Sequence, residues 1–108
     1  MARILTVDAA HALVAGTLER CRTSAENAAH VADALVAAEL AGQTGHGLRR
    51  ILPYGTQSLA GKVDGHARPT SVRTRTSVLR VDAANGFAYP ALALAMKLLP
   101  DMAVEHGI

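Results

Sequence analysis

The 108-residue chain has the length of one ordinary domain, with 11 basic and 9 acidic side chains and a formal charge of +2. Half of its residues are hydrophobic while aromatics make up 3%, which favours close-packed helices over a sheet sandwich and offers neither the charge nor the stacking surface of a nucleic-acid binder. The single cysteine, Cys21, excludes an internal disulfide or a thiolate zinc site within one chain and fits a reducing, cytoplasmic setting.

Val7 to about Arg20 carries Ala10, Leu13, Val14 and Leu18 at helical spacing, with Asp8 near the start and Arg20 near the end, where each suits the helix dipole. Asp8, His11 and Glu19 interrupt its apolar residues, so no signal peptide is expected, and no run approaches the ~18 apolar residues of a membrane span. Thr23-Ser-Ala-Glu26 has the form of a capping box and predicts a second helix to about Ala41. Its Ala28, Val31, Ala32, Leu35 and Ala38 form a stripe of mostly small residues that lets another helix approach closely.

Gly42 ends that helix, and Thr44 is placed to cap a third from about Gly45 to Ala60, closed by Gly61. On such a helix His46, Arg50 and Tyr54 stand one above another, opposite Leu48, Ile51, Leu52 and Leu59, and Pro53 kinks the middle. An imidazole moves protons near neutral pH, a guanidinium grips a carboxylate through two parallel hydrogen bonds, and a phenol orients an oxygen. The three together suit a small acidic substrate. Spacing alone leaves open a hydrogen-bonded structural histidine, an arginine bridging to a neighbouring carboxylate and a core tyrosine.

Residues 63–69 read as a connection, followed by short strands at Ser71–Arg75 and Ser77–Asp82. Arg68, Arg73, Arg75 and Arg80 there read as a solvated strand face. Asn85-Gly86 signals a turn, and Pro90 is placed to begin a helix to about Glu105, interrupted by Pro100 at a cost of about 3 kcal/mol in an unkinked interior and ended by Gly107. Neither Gly-x-Gly-x-x-Gly nor a lysine-bearing phosphate loop occurs. His11, His30, His66 and His106 lack mutual metal-ligand spacing and read as structural, as does Cys21, while Met96 and Met102 read as core filler. No metal site is expected.

The run His46-Gly47-x-x-Arg50-x-x-x-Tyr54 resembles the malate/L-lactate dehydrogenase family of the second type, which also includes ureidoglycolate dehydrogenase and a cyclic-imine reductase. Leu59-Ala-Gly61, Arg68-Pro69, Val81-Asp82 with Asn85-Gly86, and Glu105-His-Gly-Ile108 follow in the family's order. The resemblance implies an NAD- or NADP-dependent oxidoreductase interconverting 2-oxo acids or cyclic imines with 2-hydroxy or amino acids, acting as a homodimer on small acidic substrates. It implies His46 as proton donor, Arg50 as the substrate-carboxylate ligand and Tyr54 at the substrate pocket. No cofactor residue falls within this chain. Gly45 departs from the serine that usually precedes the histidine, and Pro53 stands one position later than the family's proline.

The expected fold is α+β: a helical N-terminal region over 1–67, then short strands and a further helix over 68–108. That second part would begin the cofactor-and-substrate domain of a larger, non-Rossmann dehydrogenase, and the 108 residues are expected to be the N-terminal third of such an enzyme, inactive alone. The alternative from another class is a non-catalytic helical interaction or dimerisation module, or a truncated gene product.

Overall fold

The computed structural model describes residues 3–107; Ile108, the last residue of the closing motif, lies outside them. The elements run α1 (Val7–Arg20), α2 (Ala25–Leu40), two single 3-10 turns at Thr44–His46 and Leu48–Arg50, α3 (Ile51–Leu59), β1 (Thr70–Arg75), β2 (Val78–Asp82) and α4 (Ala88–His106). The fold is α+β, helices with one small antiparallel strand pair.

Thr6 starts α1 by accepting the Ala9 N–H on its hydroxyl at 3.1 Å. The helix packs on α2, and Val14 and Leu18 of α1 are fully buried with Ala28, Val31, Ala32 and Leu35 of α2. The alanines bring the two backbones close, and each buried Leu or Val contributes roughly 1.5–3 kcal/mol. The expected capping box does not form: Ser24, not Thr23, caps α2, accepting the Asn27 N–H at 3.2 Å, and the Ser24 N–H goes to the Gly65 carbonyl rather than to a side chain. The Thr23 hydroxyl is buried instead against the Ser58 hydroxyl at 3.2 Å, so it is spent on α3 rather than on the helix end.

Asn27, on the first turn of α2, is 6% exposed and donates from Nδ2 to the carbonyls of Gly65 and Ala67 at 2.9 and 2.8 Å. One amide thus fixes the 63–69 connection to the helix pair. Asp64 N–H in turn donates to Asn85 O at 2.8 Å, tying that connection to the turn before α4.

β1 and β2 pair in the register Thr70↔Asp82 to Arg73↔Leu79, with an irregularity before Arg75↔Val78. Leu79 and Val81 are half-buried and α4 touches both strands, whereas Val72 and Val78 are exposed. Arg73, Arg75 and Arg80 are exposed but do not form the single solvated face expected: Arg80 pairs with Val72, whereas Arg73 pairs with Leu79 on the other face and bonds Glu105 and His106 of α4. Helical cover on one face is what a two-stranded ribbon needs to persist.

Helix α4 departs from expectation at two places. It begins at Ala88 after a buried Phe87 cap rather than at Pro90, which falls in the first turn where no intrahelical acceptor is lost. It also continues through Pro100 to His106 and closes on Gly107 at φ +76°, a left-handed cap. Pro100 denies a donor to the Met96 carbonyl, but that turn faces water: Met96 is 63% exposed, while Met102 is 7% exposed. Of the two methionines read as core filler, only Met102 is.

Candidate active site

The third helix does not run from Gly45 to Ala60. Its first part breaks into two 3-10 turns separated by Gly47 at φ −95°, ψ −137°, and α3 proper starts at Ile51. The cause lies on α2: the Glu39 carboxylate Oε1 accepts the Leu48 N–H at 3.0 Å, capping the second turn and pulling the chain out of helical register. Glu39 comes so near that a Cβ on Gly47 would stand 2.6 Å from its Oε1, so only glycine passes there. Pro53, expected to kink mid-helix, is therefore the third residue of α3, where a missing N–H costs nothing.

The break removes the simple stacking of His46, Arg50 and Tyr54 on one helical face. Each takes a different partner instead. Arg50 folds back, its Nε donating to the Gly45 carbonyl at 2.8 Å, so the guanidinium lies at the backbone next to His46. His46 is exposed, with its N–H on the Gln43 carbonyl at 3.0 Å. Among the described residues no carboxylate pairs with Arg50, and its two terminal nitrogens have no protein acceptor. A guanidinium aimed by its Nε with both outer nitrogens open is built to take a carboxylate in bidentate fashion.

Tyr54, one turn into α3, is half-buried, with its ring 5.7 Å from Phe87 and 6.2 Å from Tyr89. Its hydroxyl lies 3.2 Å from that of Tyr89 on the first turn of α4. Burial foremost, then the hydrogen bond with Tyr54, raises the Tyr89 pKa from 10.0 to about 12, while the Arg50 charge opposes the shift. Arg50, Tyr54 and Tyr89 thus share one electrostatic neighbourhood. Tyr89 escaped the sequence reading because nothing local marks it; its partner is 35 residues away.

Two of the other histidines pair with side chains. His11 Nε2 meets Asp33 Oδ1 across the α1–α2 pair at 2.7 Å, and His106 meets Arg73 at 2.6 Å, where Arg73 also holds the Thr76 carbonyl. No group of three or more potential metal ligands occurs among the described residues. A cleft of about 420 Å³ lies elsewhere, between α2, the 66–69 loop and α4, with His30, His66, Arg68 and Lys97 on its walls. No described helix is long and apolar enough to cross a membrane.

Residues 5–108 match the family model described as malate/L-lactate dehydrogenase. A Delta(1)-pyrroline-2-carboxylate/Delta(1)-piperideine-2-carboxylate reductase of Pseudomonas syringae pv. tomato is 42% identical over 80% of this chain and 25% of its own length. A (2R)-3-sulfolactate dehydrogenase (NADP(+)) of Chromohalobacter salexigens is 36% identical over 100% of this chain and 32% of its own. The crystal structure of the delta1-piperideine-2-carboxylate reductase from P. syringae superposes with a TM-score of 0.92 at 34% identity, covering 97% of this chain and 32% of that one. The chain therefore spans a quarter to a third of these relatives' lengths.

Proposed function

The chain belongs to the malate/L-lactate dehydrogenase family, and we propose that it supplies the acid-binding and proton-donating half of a reductase site for 2-oxo acids or cyclic imines bearing a carboxylate. The observation that carries the proposal is Arg50, tethered through Nε to the Gly45 carbonyl with its terminal nitrogens open. We read the chain as the N-terminal third of a homodimeric, cytoplasmic enzyme, with 68–108 opening its cofactor-and-substrate domain.

A nicotinamide cofactor, NAD or NADP, would supply the hydride. The strand-to-helix turn after β2 does not fit such a group: it has one glycine, Gly86, and a Cβ there would stand 2.7 Å from the Ala67 Cβ, so the turn is packed rather than open to a pyrophosphate. The 108-residue chain alone is accordingly expected not to oxidise NAD(P)H.

The chain's own groups have definite tasks. Arg50 holds the substrate carboxylate through paired N–H donors, fixing the adjacent 2-carbon. Reduction leaves a basic oxygen or nitrogen on that carbon, and a protonated His46 ring is the group here able to give it a proton near neutral pH. Tyr54 offers a phenol at the carboxylate end.

The test is NAD(P)H oxidation by the product of the complete reading frame with a panel of 2-oxo acids and cyclic imine carboxylates. Turnover that falls when Arg50→Ala raises KM for the acid by about 10- to 100-fold, the worth of a charged hydrogen-bond pair, supports the reading. No turnover with any member, or unchanged kinetics in Arg50→Ala, overturns it.

A further inference from the structure

We infer that Glu39 is a positioning residue of this site: its carboxylate takes the Leu48 N–H, and this frees the Gly45 carbonyl to hold Arg50 in the pose that binds the substrate acid. The inference rests on the proposed acid-binding role of Arg50 and adds a residue of α2, outside the motif.

Every backbone N–H and C=O at a break in a helix needs a partner. The turn Thr44–His46 closes with the His46 N–H on the Gln43 carbonyl and the Gly47 N–H on the Thr44 carbonyl, at 3.0 and 3.2 Å. Continued by one residue, the same spacing would put the Leu48 N–H on the Gly45 carbonyl. Glu39 Oε1 accepts that N–H instead, at 3.0 Å. The carbonyl so released is the one that Arg50 Nε reaches at 2.8 Å. Two side chains thus replace one backbone bond, Glu39 on its donor and Arg50 on its acceptor. Were the two turns one α-helix, Gly45 and Arg50, five residues apart, would stand about 140° apart around its axis, and the carbonyl would point into the helix's own ladder.

Glu39 is fixed for this task. It stands in the last turn of α2, where the Gly42 N–H on its own carbonyl and the Gln43 N–H on the Ala38 carbonyl, at 3.1 and 2.9 Å, turn the chain back. A carboxylate in the last turn opposes the helix dipole, so the stability of α2 does not account for it. Among the described residues no cation pairs with Glu39, and the Leu48 N–H is the one hydrogen bond its side chain makes. A carboxylate that accepts a backbone N–H makes a charge-assisted bond, stronger than the neutral one it displaces.

The experiment compares Glu39→Ala, Glu39→Gln, and Glu39→Ala combined with Arg50→Ala in the product of the complete reading frame, measuring kcat and both KM values. Loss of the acceptor in Glu39→Ala is expected to raise KM for the acid substrate about tenfold, the lower end of the Arg50 contact's worth, with the cofactor KM near wild type. Glu39→Gln keeps an acceptor oxygen and is expected to bring the acid KM back to within about threefold of wild type, a neutral bond replacing a charged one. In the Arg50→Ala background Glu39→Ala is expected to add nothing to the acid KM, because Glu39 acts through Arg50. A protein that is merely destabilised loses active fraction, and so apparent kcat, at constant KM. An unchanged acid KM in Glu39→Ala, a Glu39→Gln protein as impaired as Glu39→Ala, or single effects that multiply in the double variant would overturn the inference. If Glu39→Ala melts below the assay temperature, Gly47→Ala, whose methyl displaces the same carboxylate, is read by the same acid KM; melting of both makes the contact structural and overturns the inference too. If wild type turns over and Arg50→Ala weakens acid binding while Glu39→Ala does not, this inference alone falls; absence of turnover in wild type removes the site itself and this inference with it.

Discussion

Gly45 is where this chain departs from the pattern it otherwise follows, and the structure shows the departure is not enforced by crowding. A Cβ at Gly45 would meet nothing within 4 Å, and its φ is not in the left-handed region. A serine there would put a hydroxyl on the residue next to His46, able to orient the ring. Gly45→Ser in the complete enzyme is expected to raise kcat about tenfold, one positioning hydrogen bond, with the acid KM unchanged; steady-state kinetics check it, and a flat kcat would mean His46 needs no such partner. Tyr89 supports a second prediction, since the chain has only two tyrosines. Its pKa in the folded chain is raised to about 12 from 10.0, so the neutral phenol is the form that folding favours. The associated stability is complete below pH 10.0 and is lost as pH climbs toward about 12. An alkaline titration followed by phenolate absorbance should show a late component that Tyr89→Phe removes.

Among the elements, α1 and α2 were legible because their signals are local: apolar residues at helical spacing, an acidic start, a serine beside a threonine at the second cap. The strands were legible from β-branched residues, with ends within a residue or two. The 44–51 segment was not, because its break is imposed from another helix. Nothing within Gly45-His-Gly-Leu-Arg-Arg forecasts that Glu39 will take the Leu48 N–H and press against Gly47. Nor did the motif show where its side chains go: Arg50 folds back to the Gly45 carbonyl, and Tyr54 meets a phenol on α4, 35 residues away. The arrangement predicts a sharp contrast between neighbouring glycines. Gly47→Ala must displace Glu39, whose Cα backbone would also lie 3.2 Å from the new methyl, and is expected to cost about 1–3 kcal/mol through the lost cap and strain. Gly45→Ala, in open space, is expected to cost well under half as much. Melting temperatures of the two variants decide it, at roughly 4–8 °C per kcal/mol for a domain of this size; equal losses would mean Glu39 does not control the break.

Taken whole, the molecule is more extended than its length requires. Its radius of gyration is 15.5 Å and its extents are 52 × 30 × 20 Å, against about 13 Å expected for a self-contained domain of this size. The long axis leaves apolar surface uncovered. Along α4, Leu92 at 57%, Met96 at 63% and Leu99 at 39% exposure recur at spacings of four and three, which sets them on one face. Pro90, two residues before Leu92 and so on the opposite side, is by contrast buried, so the helix is buried on one side and bare on another. A soluble monomer rarely carries a contiguous apolar stripe of this kind without a use for it. The stripe is therefore expected to bind a hydrophobic dye while the 108-residue chain is fully folded, before any thermal transition. Because these side chains already meet water, Met96→Glu should lower that dye binding and leave the stability within about 0.5 kcal/mol of the parent, as for surface substitutions. Dye binding that appears only on unfolding, or a Met96→Glu protein that unfolds, would show that α4 buries this face after all, and the two outcomes are separated by following fluorescence and circular dichroism in the same melt.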